Sequence, residues 1–408
     1  MLKIDGTTLI STDWHFGIKN SQTSRLKIMG KVVREIAKYI RNNRIDNLLF
    51  LGDMFHQRNN LSVQTINVAI GCIDTLSRLC NVYLILGNHD LYNKNTNEIH
   101  SLNIFRNTKN VTIIAKPTEA EINGKKCLLA PWLTDLTKYK KDSFDMMFGH
   151  FDISAQYLLA SYIEHNREKN IASDSALEII ENDDMLRDAG LDDIGFENDI
   201  DPKLLDGNVK PSDMIGDWIE VVKEGGTIFS GHIHNRSEFV SKGRQFIFVG
   251  SPYQQTLGEI DSNDGFYVLG RNNLWTFHGL TGIPVHMDIV MSKVIKDFDS
   301  FDFSIVTGNI VHKIYDVEVD RVIDAKITRK ILDNKPYEEI TPEYDIRTAT
   351  DNVDDETVKA LKKSKLEYLH NYINSIDENT LKKDELDRNR LFEITTEYYE
   401  LVDEGVQI

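Results

Sequence analysis

The stretch that decides the fold is Asn47-Leu48-Leu49-Phe50-Leu51-Gly52-Asp53-Met54-Phe55-His56, in which an apolar run ends at a glycine and an aspartate. A short apolar run bounded in this way predicts a buried β-strand. Polar residues just after such a strand lie where layered α/β sheets bind their ligands. The same arrangement occurs five times, with the motifs Asp13-Trp14-His15, Gly52-Asp53-Met54-Phe55-His56, Gly87-Asn88-His89-Asp90, Gly149-His150 and Gly231-His232-Ile233-His234.

The regions before and between these motifs predict an α/β fold with a layered sheet. Two segments, Ser24–Arg41 and Val63–Leu79, carry apolar residues at every third or fourth position, which is typical of amphipathic helices. The strand candidates are Thr8–Ser11, Asn47–Leu51, Val82–Leu86, Met146–Phe148 and Thr227–Ser230.

The composition is that of an ordinary globular protein, but its charge is acidic. The chain has 408 residues, of which 41% are hydrophobic and 27% charged, so we expect more than one domain. A net charge of −17 argues against binding nucleic acid by broad electrostatic attraction. Bound divalent cations or a basic partner would have to offset this charge if the ligand were DNA.

The compartment we expect is cytoplasmic or otherwise intracellular, including the host cytoplasm if the protein is virus-encoded. Cys72, Cys80 and Cys127 have no zinc-site or disulfide spacing. The amino terminus enters a strand directly, without the basic and apolar pattern of a signal peptide. No apolar run is long enough to cross a membrane, so we expect no membrane association.

Three regions are expected along the chain. Residues 1–283 form the catalytic domain, with an acidic insertion at about 165–215 that we interpret as a solvated excursion or a gating segment. Residues 284–349 form a small α+β domain, and residues 350–408 form a helix-loop-helix. The second region carries extended stretches at His312–Val319 and Glu339–Arg347 and a helix at Asp324–Asp333; the third carries helices at Thr357–Ile376 and Lys383–Val402.

The motifs contain six of the twelve histidines and suggest a metal centre. Asp13 and His15 are two residues apart, as are His232 and His234, so in extended backbone each pair points to one side. Imidazole and carboxylate together favour Mn²⁺, Fe²⁺ or Zn²⁺ over Mg²⁺ or Ca²⁺. Asp53 is the candidate for a carboxylate bridging two ions. A single histidine at a strand end is usually structural, and only the ordered set favours a metal site.

These motifs resemble the calcineurin-like metallophosphoesterase superfamily over roughly residues 1–280. The resemblance implies a layered β-sandwich core flanked by helices, with two divalent metal ions. It implies that His89 lies beside the scissile phosphate without ligating metal and that Asp90 orients it. The first ion would be held by the residues Asp13, His15, Asp53 and His234, and the second by Asp53, Asn88, His150 and His232.

The histidine in Gly52-Asp53-Met54-Phe55-His56 resembles the nuclease branch, in which His56 would position a DNA phosphate; otherwise His56 only packs near Asp53. Ala130-Pro131-Trp132 and Gly250-Ser251-Pro252-Tyr253-Gln254 are similar to segments of SbcD-type double-strand-break repair nucleases and their T-even phage counterparts. The resemblance implies a capping role for residues 284–349, a homodimer, and docking of residues 350–408 on the coiled coil of an SbcC-type ATPase.

The leading interpretation is a Mn²⁺-dependent DNA nuclease, a 3′→5′ exonuclease on duplex ends and endonuclease on single strands, within an ATP-controlled complex for repair, recombination and replication. The chain has no phosphate-binding loop for ATP, so ATP control would come from the partner. The alternatives are a phosphodiesterase or phosphatase acting on small molecules or proteins, and a DNA-end tether that has lost catalysis. The C-terminal helices could also bury their apolar stripes against each other or the core.

Overall fold

A computed structural model describes residues 1–93, 95–151, 215–256, 259, 264–337, 341–344 and 390. The acidic stretch Glu178–Asp206 lies outside these residues. So do both C-terminal helix candidates, Thr357–Ile376 and Lys383–Val402, apart from Arg390. Within the described part of the chain, every helix is too short or too polar to cross a bilayer.

The larger of the two main sheets has seven strands in the order β1-β8-β9-β10-β11-β13-β12. Its four neighbouring strands β9, β10, β11 and β13 are parallel, so their carboxyl ends lie at one edge. The strands are β1 (Leu2–Ile4), β8 (Thr118–Ile122), β9 (Lys125–Ala130), β10 (Phe144–Gly149), β11 (Val222–Ser230), β12 (Ser237–Ser241) and β13 (Arg244–Phe248).

The other main sheet has six strands in the order β15-β14-β2-β3-β4-β7, and β2, β3, β4 and β7 are parallel. The strands are β2 (Thr8–Ser11), β3 (Asn47–Phe50), β4 (Asn81–Ile85), β7 (Val111–Ile114), β14 (Gly265–Leu269) and β15 (Trp275–Gly279). With β10 and β11, these strands confirm all five strand predictions. Strands β5 (Leu91–Asn93) and β6 (Thr96–His100) form a separate hairpin.

Two long helices, α2 (Thr23–Asn43) and α3 (Val63–Ser77), confirm the helical predictions from the sequence. The Ser62 hydroxyl caps α3 by accepting a hydrogen bond from the Thr65 N–H. The buried face of α2 consists of apolar residues at helical spacing, among them Val32, Ile36 and Ile40. A short segment, α1 (Ile18–Ser21), precedes α2 and contains left-handed residues rather than regular helix.

The alternation of side chains along the strands explains the layers. Leu48 packs in a cluster with the apolar faces of α2 and α3, while the next residue, Leu49, packs in a second cluster with residues of the seven-stranded sheet. Met147 and Phe148 divide in the same way between a third cluster and the second. The two sheets therefore share one apolar cluster between them, and each packs against a further apolar cluster on its outer face, which confirms the predicted layered α/β sandwich.

The five motifs follow β2, β3, β4, β10 and β11 at the carboxyl ends of these strands. At this edge the two sheets are connected by hydrogen bonds: the Trp132 N–H donates to the Leu86 carbonyl at 2.9 Å. Gly231 is so close to the other sheet that a Cβ there would lie 2.2 Å from the Thr12 hydroxyl. The loops of both sheets therefore meet over one small area.

The chain divides into two compact units. The first comprises Met1–Asp288, Asp302–His312 and Lys326–Thr341, and the second comprises Ile289–Phe301, Lys313–Ala325 and Pro342–Ile408, the last segment being described only at 342–344 and 390.

The extended stretch and the helix predicted at His312–Val319 and Asp324–Asp333 overlap β17 and α5, and the stretch predicted at Glu339–Arg347 is described only at β18. The structure adds a strand, β16, and a helix, α4, that were not predicted, and the three strands form a sheet in the order β16-β17-β18. In the second unit, Asp324 accepts hydrogen bonds from Lys313 and Tyr315. The domain boundaries given above stay predictions. The elements are β16 (His286–Val290), α4 (Met291–Lys296), β17 (Ile310–Tyr315), α5 (Arg321–Asp333) and β18 (Thr341–Tyr344).

Trp14 anchors the first motif, because its fully buried indole contacts Phe16 and Phe50 edge-on and its N–H donates to the Ser11 hydroxyl at 2.8 Å. We predict that Trp14→Ala lowers the free energy of unfolding by about 3–5 kcal/mol, since it leaves a cavity and removes a buried donor. Leu274→Ala is the control, with a side chain 66% exposed and an expected change below about 0.5 kcal/mol. Equal losses in urea unfolding would contradict this assignment.

Candidate metal centre

Four residues of the motifs have left-handed backbone: φ is 52° at Asp13, 45° at His15, 59° at Asp53 and 84° at His232. Such conformations are costly for residues with a side chain and concentrate at functional sites. The expectation that each pair shares a side because its backbone is extended is therefore wrong. Sharp turns after β2 and β11, rather than strand alternation, direct these side chains.

The glycines before the polar residues act in two different ways. Gly52 has φ of 105°, a turn that glycine adopts without strain. Gly87 is needed for space instead, because a Cβ there would lie 2.1 Å from Asp53 Oδ1 and 2.4 Å from the Asp53 nitrogen. Of the four glycines that directly precede Asp53, Asn88, His150 and His232, only Gly52 has positive φ. Gly149 and Gly231, like Gly87, permit close approach.

One group of potential metal ligands consists of Asp13, His15 and His234, whose ligand atoms lie within 4.8 Å of one another. His15 Nε2 lies 3.8 Å from Asp13 Oδ1 and 3.2 Å from His234 Nε2. The first two residues are fully or almost fully buried, and 29% of the His234 side chain is exposed. Nitrogen and oxygen donors from the loops after β2 and β11, which belong to different sheets, thus converge on one point.

A second group consists of Asp13, Asp53 and His150. Asp53 Oδ2 lies 3.4 Å from His150 Nε2 and 3.6 Å from His15 Nε2, so this carboxylate also faces a histidine of the first group. Asp13 belongs to both groups. Asn88 Oδ1 lies 3.0 Å from His150 Nε2. The His232 ring lies 5.3 Å from the His150 ring, and the backbone N–H of His232 donates to Asp13 Oδ2 at 3.1 Å. The other five residues predicted as ligands therefore lie close to Asp53 and Asp13.

A third group places His56 and His89 beside His15. The His56 and His89 rings are stacked with centroids 5.8 Å apart, and both residues are partly exposed. His89 Nδ1 lies 2.6 Å from the His56 carbonyl, which can only accept, so Nδ1 carries the proton and Nε2 is left for other chemistry. These two histidines form the accessible side of the centre.

Asp90 lies beneath this group, fully buried, and holds backbone rather than the ring of His89. Its carboxylate accepts hydrogen bonds from the N–H groups of Asp53, Met54 and Gly87, each at 3.0 Å. The resemblance implies that Asp90 orients His89, but these hydrogen bonds of Asp90 go to backbone N–H groups and not to the His89 ring. Burial, followed by the charge of Asp53, raises the pKa of Asp90 to about 7.

The tautomers of two histidines fit a bound cation. His150 Nδ1 donates to the Leu51 carbonyl at 2.8 Å, which leaves the lone pair of Nε2 facing Asp53. His234 Nδ1 is held by Glu259 in the same way. Metal-ligating histidines typically donate their second ring nitrogen to a carbonyl or carboxylate. The donor set therefore suits a transition metal ion.

The side-chain amide of Asn88 can face Asp53 and His150 in either of two orientations. With its nitrogen turned inward, it would donate to Asp53 Oδ2 at 3.2 Å and His150 Nε2 at 3.0 Å. With its oxygen inward, Asn88 Oδ1 and Asp53 Oδ2 both face His150 Nε2, and either a proton on Nε2 or a cation between the three atoms would satisfy them. The centre is a plausible site for divalent metal ions.

The pKa shifts differ among the residues of the centre: burial lowers the pKa of His15 and lowers that of His232 to about 3, whereas ion pairs dominate at His150, His234 and Asp53. Burial alone would lower the pKa of His150, but the adjacent Asp53 carboxylate raises it to about 9. Burial would likewise lower the pKa of His234, and Glu259 raises it to about 9. Burial would raise the pKa of Asp53, yet the charge of His150 holds it well below its usual range.

The family model for calcineurin-like phosphoesterases matches residues 6–236, more than half of the chain. The chain belongs to this family. The match begins just before β2 and ends just after His234, so it spans all five motifs. Family membership makes the phosphoesterase a hydrolase and accounts for the divalent metal ions that the site suits.

Among known proteins, the phosphoesterase is similar to Exonuclease subunit 1 of Enterobacteria phage T4, with 20% identity over 354 residues that cover 82% of this chain and 87% of the phage protein. It is also 28% identical over 130 residues to the putative phosphoesterase 078R of Invertebrate iridescent virus 3, covering 31% of this chain and 36% of that one. A solved structure of Yfce, a phosphoesterase from E. coli, overlaps 68% of this chain and 96% of its own at 10% identity, with a TM-score of 0.34.

Sequence reasoning missed two residues that support the centre. Glu259 bonds His234, and the Arg58 guanidinium donates to the Asn88 carbonyl at 3.1 Å. Neither belongs to a short motif, and an acidic residue is not distinctive in a chain with 64 of them. The positions of these two residues in the chain could have indicated their roles, because Glu259 follows the segment Gly250–Gln254 and Arg58 follows His56 by two residues.

We predict that Gly87→Ala lowers the free energy of unfolding by about 1–3 kcal/mol, because the new methyl group overlaps the Asp53 backbone and carboxylate. Gly71→Ala is the matched control, since it lies within α3 with no atom within 4 Å of an added Cβ, and should raise stability by about 0.5–1 kcal/mol. Urea unfolding in EDTA measures both. A Gly87→Ala protein as stable as wild type would show that this approach is not tight.

Proposed function

We propose that the phosphoesterase is a two-metal DNA nuclease of the SbcD type, a Mn²⁺-dependent 3′→5′ exonuclease on duplex ends and an endonuclease on single strands. The observation that carries this proposal is the position of His56, stacked on His89 and grouped with His15 at the accessible side of the centre. Similarity to Exonuclease subunit 1 over 82% of the chain supports it.

In this proposal, the first ion would be held by Asp13, His15, Asp53 and His234, and the second by Asp53, Asn88, His150 and His232. Two such ions would neutralise phosphate charge and supply a nucleophile from water at neutral pH. Asp53 is the shared ligand, because its Oδ2 faces His15 on one side and His150 on the other.

His89 and His56 would act on the phosphate itself. His89 keeps its Nδ1 proton on the His56 carbonyl, and in the imidazolium form a second proton on Nε2 would be available for the departing oxygen of the phosphodiester. The His56 side chain would help to position the DNA phosphate. Asp90 contributes as a positioning residue, since it connects the backbone before His89 with the backbone of Asp53.

We further propose that the protein acts in the host cytoplasm as a homodimer bound to an SbcC-type coiled-coil ATPase, in DNA repair, recombination and replication. The name of the phage relative, a subunit, supports a multi-subunit complex, and its viral source supports the compartment. Residues 284–349 would cap the DNA, and residues 350–408 would dock on the ATPase.

A second candidate function is hydrolysis of small-molecule or protein phosphoesters, which the same metal chemistry allows. The similarity to a putative phosphoesterase of an iridescent virus favours it, although that match covers 31% of this chain. A wild-type protein that hydrolyses bis(p-nitrophenyl) phosphate but leaves duplex and single-stranded DNA intact would favour this candidate.

We predict that Asp53→Asn abolishes Mn²⁺ binding and DNA cleavage, because this carboxylate serves both ions. His89→Ser should retain both ions and DNA binding, yet cleave about 10²–10⁴-fold more slowly, because it removes only the proton donor. Cleavage of a labelled duplex and Mn²⁺ titration by paramagnetic resonance measure the two effects.

The control for His89→Ser is His278→Ser, which should cleave like wild type. His278 lies on β15, and its ring bonds Tyr39 on α2 and Thr276 on the same strand. Near-normal cleavage by Asp53→Asn would contradict the bridging assignment. Loss of an ion from His89→Ser would mean that His89 is a ligand.

We predict that removing residues from Thr350 onward preserves Mn²⁺-dependent cleavage of single-stranded DNA but abolishes ATP stimulation and co-purification with an SbcC-type partner. The reason is that each helix predicted in this region has one apolar face, which the partner would cover. Undiminished binding of the ATPase by the truncated protein would contradict docking through this region. Aggregation of the truncated protein would instead indicate that the stripes are buried within the chain.

A further inference from the structure

Glu259 is a buried carboxylate, 6% exposed, that lies behind the metal centre. Its Oε1 lies 2.9 Å from His234 Nδ1 and accepts a hydrogen bond from the Thr256 hydroxyl at 3.3 Å. Its Oε2 accepts the Gln255 N–H at 2.7 Å. Both oxygens therefore have donors, and the carboxylate cannot rotate without breaking one of these bonds.

The segment around Glu259 also holds the loop after β2. The side-chain amide of Gln255 donates to the Asp13 carbonyl at 2.6 Å and to the Ser251 hydroxyl at 2.8 Å. The Ser251 N–H in turn donates to the His234 carbonyl at 2.8 Å. One short stretch of chain thus sets the positions of two of the three donors in the group of Asp13, His15 and His234.

We propose that Glu259 is a positioning residue that keeps the Nδ1 proton of His234 on its carboxylate, so that Nε2 faces Asp13 and His15 with its lone pair available to a cation. The inference rests on the proposed metal function, which it deepens. A carboxylate in this position fixes both the ring orientation and the tautomer, and makes the imidazole a stronger ligand.

Glu259→Gln separates this role from simple packing, because glutamine has the same shape. The Gln255 N–H is a fixed backbone donor, so the new amide oxygen should stay there and the amide nitrogen should face His234 Nδ1. Nδ1 must then accept, which moves the ring proton to Nε2 and removes the lone pair from the centre. Glu259→Ala leaves Nδ1 without a fixed partner but imposes no wrong tautomer.

The experiment is Mn²⁺ titration of the full-length protein, followed by paramagnetic resonance of free Mn²⁺, with thermal unfolding in EDTA as the measure of folding. We expect Glu259→Gln to weaken one of two Mn²⁺ sites by about 10–100-fold, at least as much as Glu259→Ala. Glu259→Asp should bind Mn²⁺ more tightly than either. A packing role would give the reverse order, with glutamine close to wild type and alanine impaired in both binding and unfolding temperature.

Glu238→Gln is the matched control for the loss of one negative charge. Glu238 lies on β12, and its carboxylate accepts hydrogen bonds from Arg236 and from Tyr267 on β14. The Mn²⁺ binding of Glu238→Gln should equal that of wild type. Wild-type affinity in Glu259→Gln would overturn the inference and leave the proposed function standing. A wild-type protein that binds no Mn²⁺ would overturn both.

Discussion

The buried carboxylate of Asp53 is the constraint on which the rest of the centre depends. An unpaired charge in a protein interior costs several kcal/mol, so its neighbours must compensate it. Oδ1 accepts the His89 N–H at 2.9 Å, and Oδ2 faces the ring nitrogens of His15 and His150. Three of the loops that follow parallel strands thus meet at one side chain, and positive charge there is favourable whether protons or metal ions supply it.

Bringing these loops together requires unusual backbone. Left-handed φ values at Asp13, His15 and Asp53, together with the close approach at Gly87, are compensated by hydrogen bonds between loops. The most concentrated set is made by Asp90, whose carboxylate accepts three N–H groups from the two loops after β3 and β4. The strain therefore lies where ligands converge, and the layered core of two sheets holds it in place.

The sequence predicted the layered fold and the members of the centre because both depend on local signals. Apolar runs such as Asn47–Leu51 indicate strands, and polar residues directly after them share one sheet edge. Glu259 could not be predicted, since its hydrogen bond to His234 connects residues 25 apart through tertiary folding. The contacts of Asp90 were missed for a related reason: a carboxylate bonding backbone amides of another loop leaves no pattern in the chain.

In the proposed function, the shared carboxylate of Asp53 would hold two metal ions between the two sheets. Anomalous scattering from crystals of the wild-type protein grown with Mn²⁺ tests it most directly. We expect two peaks about 4 Å apart. One should contact Asp13, His15 and His234, the other Asn88, His150 and His232, with Asp53 contacting both. A single peak, or two peaks that share no contact with Asp53, would contradict the account.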